Sequence, residues 1–191
     1  MPIKLPSTEP VTKKLPGNLV SPHHDRFYQN IDLYAQQANI AKHWLWTAPD
    51  EYLTPELLDW TKKFKFHGPN GKHGLIIWGG ASGSIDDIFC SMCGFLSRNF
   101  IWGRCLTMRE FVEETEDGEI MDPSCVFVSN LSTGKLGLPD WKLHLLIDGL
   151  KQRGLAAKQT VAYVDDEKAL KQAYGDGFHE YLRTKFHSME F

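Results

Sequence analysis

No stretch of this 191-residue chain is apolar for long enough to span a membrane. The run Leu75-Ile76-Ile77-Trp78 falls far short of the roughly 18 residues a span requires. Met1 to Pro22 lacks the apolar segment of a signal peptide, so the expected location is the cytoplasm, a reducing compartment. There is no surplus of positive charge either: 21 Lys and Arg stand against 24 Asp and Glu, a net charge of −3. That balance excludes a nucleic-acid binder working through overall charge and leaves room for a local basic patch. Cysteine is scarce, four in all, and reads as reduced thiols. Hydrophobic residues make up 42% and charged residues 24%, which excludes disorder over most of the length. A chain of this size buries about 70% of its unfolded surface and needs no metal or disulfide to hold a core.

What is present divides the chain in three. Residues 1–22 carry Pro2, Pro6, Pro10, Pro16 and Pro22, which remove backbone donors and block helix. An extended proline-rich arm is expected there, loose or laid along a partner. Residues 23–70 read as a helical extension, with Phe27, Ile31, Tyr34 and Ala38 at helical spacing between Asp25 and Trp46. Thr54-Pro55-Glu56 is a second helix start, combining a cap, a proline at the first position and an acid in the first turn. Residues 71–191 alternate strand and helix. Strands are expected at 73–78, 104–108, 125–128 and 160–164, and helices at 85–97, 139–153, 166–173 and 178–186. Between them come a helical turn at 111–114 and an acidic loop running on to Asp122; Gly154 is expected to stop the long helix. This order describes an α/β domain with a mostly parallel sheet flanked by helices on both faces.

The first of these strands ends in Gly79-Gly80-Ala81-Ser82-Gly83-Ser84, and a helix follows. Converging backbone N–H groups and the helix dipole make such a turn a phosphate cradle. The Walker A version, G-x-x-x-x-G-K-[ST], adds a lysine for the outer phosphates and a hydroxyl for Mg²⁺. With Gly80 and Gly83 on the first and middle glycines of a GxxGxGKT loop, Ile85 falls on the last glycine, Asp86 on the lysine and Asp87 on the hydroxyl position. A unit charge ~4 Å from a phosphate oxygen interacts at ~4 kcal/mol when the effective dielectric is ~20. Exchanging Lys for Asp reverses the sign of that interaction. The cradle is expected to repel a triphosphate, and no cofactor is expected.

Further segments extend the pattern. After the strand-loop His73 to Gly83 come Cys105 to Phe111, a strand leading into a short helix, and Val126-Phe127-Val128-Ser129-Asn130-Leu131. A long helix with an arginine near its end, Trp141 to Arg153, precedes the strand Thr160 to Asp165 and a small helical close, Gly175 to Leu182. From about Lys72 to Phe186 this series resembles the AAA+ core of the DnaC/IstB-type helicase loaders. The resemblance implies a P-loop NTPase/AAA+-like core with a helical N-terminal extension. It also implies that each hydrolytic position has departed from the family. Asp86 stands at the Walker lysine, Ser129 and Asn130 at the Walker B acids, Asp165 at the sensor asparagine and Tyr181 at the closing arginine. Without acids at Ser129 and Asn130 there is no magnesium anchor and no group to orient attacking water. What the resemblance implies is therefore a pseudo-ATPase, not an enzyme, acting by protein contact as adaptor or inhibitor in DNA replication or in phage or mobile-element biology. Its partner would be a replication ATPase or helicase, or another copy of the chain.

Other constellations compete with blander readings. Gly80 to Ile85 with Tyr181 and Lys185 echoes a short-chain dehydrogenase, but only six residues follow Lys185 and Asp86 would crowd a pyrophosphate. Cys90-Ser91-Met92-Cys93 falls mid-helix on an apolar face, which favours packing over zinc or redox work. His23-His24 reads as an exposed pair rather than a metal site, and Ser132-Thr133-Gly134-Lys135 as a loop. Lys62, Lys63 and Lys65, interleaved with Phe64 and Phe66, either grip single-stranded DNA or are simply solvated. Trp44, Trp46 and Trp60 either contact a partner or pack on the core.

Overall fold

The computed structural model describes residues 14–80, 84–131 and 140–190. Five strands form one sheet: β1 (Gly74–Trp78), β2 (Gly103–Leu106), β3 (Cys125–Val128), β4 (Gln159–Val164) and β5 (His187–Glu190). Their order is β2-β3-β4-β1-β5, and every pairing is parallel. β1 and β4 are buried along their whole lengths, as a parallel sheet covered on both faces requires. β5 was not foreseen from the sequence. It pairs with β1 from Leu75↔His187 to Trp78↔Glu190 and alternates between half-buried and exposed, as an edge strand does.

The α-helices are α1 (Asp25–Gln29), α2 (Ile31–Ala38), α3 (Pro55–Lys62), α4 (Ile85–Arg98), α5 (Met108–Asp117), α6 (Asp140–Leu155), α7 (Glu167–Tyr174) and α8 (Asp176–Lys185). Period-two alternation along β1 sorts them onto two faces. Ile76 and Trp78 join a core with α5, α6, α7 and α8, while Leu75 and Ile77 join one with α2, α3 and α4. The helical extension thus covers one face of the sheet alongside α4.

Several expectations need correcting. The single helix expected from Asp25 to Trp46 is broken at Asn30 and ends at Ala38, where Asn39 takes a left-handed conformation; a 3-10 helix, Lys42–Leu45, follows. The acidic segment expected as a loop is largely α5. Thr107 caps it, bonding the Glu110 N–H while the Glu110 carboxylate accepts from the Thr107 N–H; Glu114 is buried with Phe111 and Val112 and pairs with Arg104 at 2.8 Å, while Glu116 and Asp117 are exposed. Gly154 does not stop α6, which runs on to Leu155. The described end of the proline-rich segment is no free arm: Leu15 and Leu19 are buried against Phe27, Ile31, Ala35 and Leu45. His24 is not exposed either. It accepts from the Val20 N–H at Nδ1 and lies 3.0 Å from the Arg98 carbonyl at Nε2, stacked on Phe100.

Candidate functional site

In an open parallel sheet, ligands collect at the carboxyl ends of the strands, at the crevice where successive connections leave toward opposite faces. Here that crevice lies between β1, which exits into α4 on one face, and β4, which exits into α7 on the other. Trp78 passes into Gly79, whose φ of +95° turns the chain in a way other residues resist. Gly80 is exposed; Gly83, the other glycine of the expected cradle, lies outside the described residues.

The first turn of α4 is capped by Ser84, whose Oγ accepts from the Asp87 N–H at 3.4 Å. Asp86 and Asp87 are exposed on this turn, where carboxylates suit the positive end of the helix dipole. The chain's own acids therefore occupy the potential that a phosphate would use. Asp86 lines an open cavity of about 220 Å³ together with Thr107, Glu110 and Ser129. The structure thus brings Asp86 and Ser129, which the resemblance placed at the Walker lysine and the first Walker B acid, onto one cavity, with two carboxylates and no lysine or arginine lining it. Asn130 follows at the end of β3, half-buried.

Asp165 lines a different space, an open cleft of about 680 Å³ bounded by Trp78, Gly79, Asp166, Glu167, Arg183 and Glu190. Glu167 is its hub. Lys171 and Arg183 approach it at 3.3 and 3.2 Å, and His179 contacts it as well. Burial works against the charge on Glu167, yet these three partners hold its carboxyl below the ordinary range. Arg183 also lies 3.5 Å from Glu190 and 4.3 Å over the Trp78 ring. Sequence reasoning missed this cluster, because its members come from α7, α8, β1 and β5 with no motif spacing. On α8, Tyr181 bonds His73 Nδ1 at 2.9 Å near the opposite end of β1, while Arg183 reaches the cleft.

Arg153, near the end of α6, points inward. It is fully buried and donates to the carbonyls of Ile120, Pro123 and Gln159 and to Thr160 Oγ1. The dehydrogenase reading gains nothing, since Tyr181 is tied to His73 at the strand amino ends. Among the described residues no cluster of His, Cys, Asp and Glu is arranged to hold a metal, and Ser132 to Lys135 lie outside them.

Trp44 and Trp60 are buried, at 7% and 4% exposure, so they pack within the chain rather than offer themselves to a partner. Trp46 is half-buried against the N-terminal cluster. Lys62, Lys63 and Lys65 are all exposed, Lys63 paired with Asp59 at 2.8 Å, beside a Phe66 that is 71% exposed. Among the described residues no helix is long and apolar enough to cross a membrane.

No family model matches this sequence, and no curated protein matches it. Its fold, however, is that of solved replication proteins. The DnaC helicase loader superposes with a TM-score of 0.59 at 12% identity, covering 79% of this chain and 99% of that one. DnaI gives 0.57 at 11% identity, with 79% and 94% covered. AMPPCP-bound DnaA from Aquifex aeolicus gives 0.56 at 9% identity, and here the chain spans about half (49%) of the DnaA structure while 75% of it is covered. At such identities the likeness is one of fold: an all-parallel, five-stranded AAA+ P-loop architecture.

Proposed function

We propose that this chain is a helicase-loader-like protein of DNA replication that does not hydrolyse ATP and works as an adaptor or inhibitor through protein contact. One observation carries this reading. At the phosphate end of the AAA+ scaffold, where outer phosphates and magnesium would rest, the chain presents Asp86 and Asp87 on α4 while Ser129 and Asn130 follow β3. A nucleoside triphosphate would meet like charge at the helix N-terminus, without a lysine to offset it. Nothing at the end of β3 would carry Mg²⁺ or orient a water molecule. Protein contact is the role left to such a scaffold, and the expected partner is a replicative helicase or ATPase, or a second copy of the chain.

Calorimetry with ATP and Mg²⁺, together with a phosphate-release assay, tests the claim. Neither uptake at micromolar ATP nor release of phosphate is expected, while the protein retains a replication protein in a pull-down. Turnover of ATP would overturn the reading.

A second reading rests on Lys62 and Lys65, exposed beside Phe66: contact with single-stranded DNA by phosphate pairing and stacking. It predicts affinity that falls steeply with salt and is lost when Lys62, Lys63 and Lys65 are neutralised.

A further inference from the structure

We propose that Cys90 and Cys105 are an oxidation-sensitive dithiol, the site of an intramolecular disulfide that ties the middle of α4 to the edge strand β2. The two residues line the same open cavity of about 220 Å³, and both are partly exposed, whereas Cys93 and Cys125 are buried. α4 packs directly on β2, which brings the two elements face to face. The Cys90 and Cys105 thiols lie close enough to influence each other, and Cys93 is a further neighbour of Cys105. Of these three residues Cys90 and Cys105 line the cavity, while Cys93 is buried in the core. Packing accounts for Cys93, which is fully buried against the sheet, and for the part of Cys105 that joins the same core, but not for Cys90, which lies outside that core and opens on the cavity.

The two thiols are not equivalent. Its interaction with Cys105 holds the Cys90 thiol below its ordinary value, although burial and the nearby carboxylates of Asp86 and Asp87 push it the other way. Burial pushes the Cys105 thiol well up, and its interactions with Cys90 and Cys93 add to that. Cys90 is accordingly the nucleophile and Cys105 the proton-bearing partner that resolves the intermediate.

With a small-molecule disulfide as oxidant, the Cys90 thiolate attacks one sulfur, the oxidant's S–S bond breaks and one thiolate leaves. Cys105 then gives its proton to that departing thiolate and attacks the Cys90 sulfur. The second oxidant thiol is expelled, taking up a proton from solvent if it leaves as thiolate. Two protein thiols are oxidised to one disulfide while one disulfide is reduced to two thiols.

Dilute full-length protein treated with oxidised glutathione, alkylated and digested without reductant, tests this. Two of the four thiols should be lost, with Cys90 and Cys105 recovered as one cross-linked peptide pair from a monomer. Cys105→Ser should accumulate a mixed disulfide on Cys90, and Cys90→Ser should oxidise at least ~10-fold more slowly without forming the cross-link. Retention of all four thiols, a link through Cys93 or Cys125, a link between chains, or unchanged oxidation of Cys90→Ser would each overturn the proposal. Should a variant fail to fold by circular dichroism, the peptide map of the unaltered protein still decides.

Discussion

Arg153 is a buried guanidinium whose hydrogen bonds go to main-chain carbonyls and one hydroxyl, joining α6, β4 and the segment before β3. Burial lowers its pKa to about 10, against smaller opposing effects of Cys125 and Glu114, so it stays charged at neutral pH. Arg153→Met would take away a donor from the carbonyls of Ile120, Pro123 and Gln159 and from Thr160 Oγ1, at about 1–3 kcal/mol for each buried group left unsatisfied. Urea titration should register a loss of at least ~3 kcal/mol. Arg153→Lys should recover only part of it, because an ammonium cannot reproduce the planar fork of donors. Histidine supplies the pH dependence. Burial, reinforced by Lys185, lowers the His73 pKa; burial, reinforced by His67 and Lys72, lowers that of His187. The folded state keeps both neutral while the unfolded chain takes up protons below 6.5. This contribution to stability is therefore complete above pH 6.5 and is lost as pH falls from there through the lowered folded values. The denaturation midpoint should be lower at a pH of about 5.5 than at about 7.5, and His73→Leu should reduce the difference.

At the scale of elements, α4 and the 3-10 helix Lys42–Leu45 meet in a tight seam. A Cβ built at Gly94 would stand 2.2 Å from the Trp44 carbonyl oxygen. Alanine normally gains about 1 kcal/mol over glycine inside a helix. Here it should cost about 1–3 kcal/mol net, because backbone rather than a flexible side chain must move. Thermal melts of Gly94→Ala followed by tryptophan fluorescence check this. Legibility in the sequence followed element type. β1 and α4 could be read because one is a continuous apolar run and the other pairs an apolar stripe with a serine cap. α5 was hidden by its acids, although Thr107 and Glu110 are spaced as a capping box. β5 gave no signal, since His187-Ser188-Met189-Glu190 has too little apolar character to mark a strand; its place comes from pairing with β1.

At the scale of the molecule, the AAA+ architecture was legible in the order of elements, and the solved loaders share it. The candidate site was legible only where residues are contiguous. Asp86 and Asp87 could be placed on α4 from the sequence, while the meeting of Asp86 with Ser129, or of Glu167 with Arg183, depends on strands folded side by side. The proposed loss of nucleotide handling makes a reversal possible. Combining Ile85→Gly, Asp86→Lys and Asp87→Thr should tighten ATP binding at least ~10-fold in calorimetry. Phosphate release should stay absent, because Ser129 and Asn130 are untouched. An equal affinity in both proteins would mean that charge at this turn does not control access.

The strand order carries one more consequence, for the chain during synthesis. β1 emerges first of the five strands yet ends between the two that emerge last, β4 and β5. Leu75 meets Val161 only after roughly 85 further residues have been added, which takes about 4–17 s at ordinary ribosomal speed. Through that interval Leu75-Ile76-Ile77-Trp78 lacks both flanking strands, and the α2–α3 layer, already made, is the available shelter for Leu75 and Ile77. The helical extension is thus placed to shelter β1 while its neighbours are still being made, and weakening it should show up first as poor yield from the ribosome.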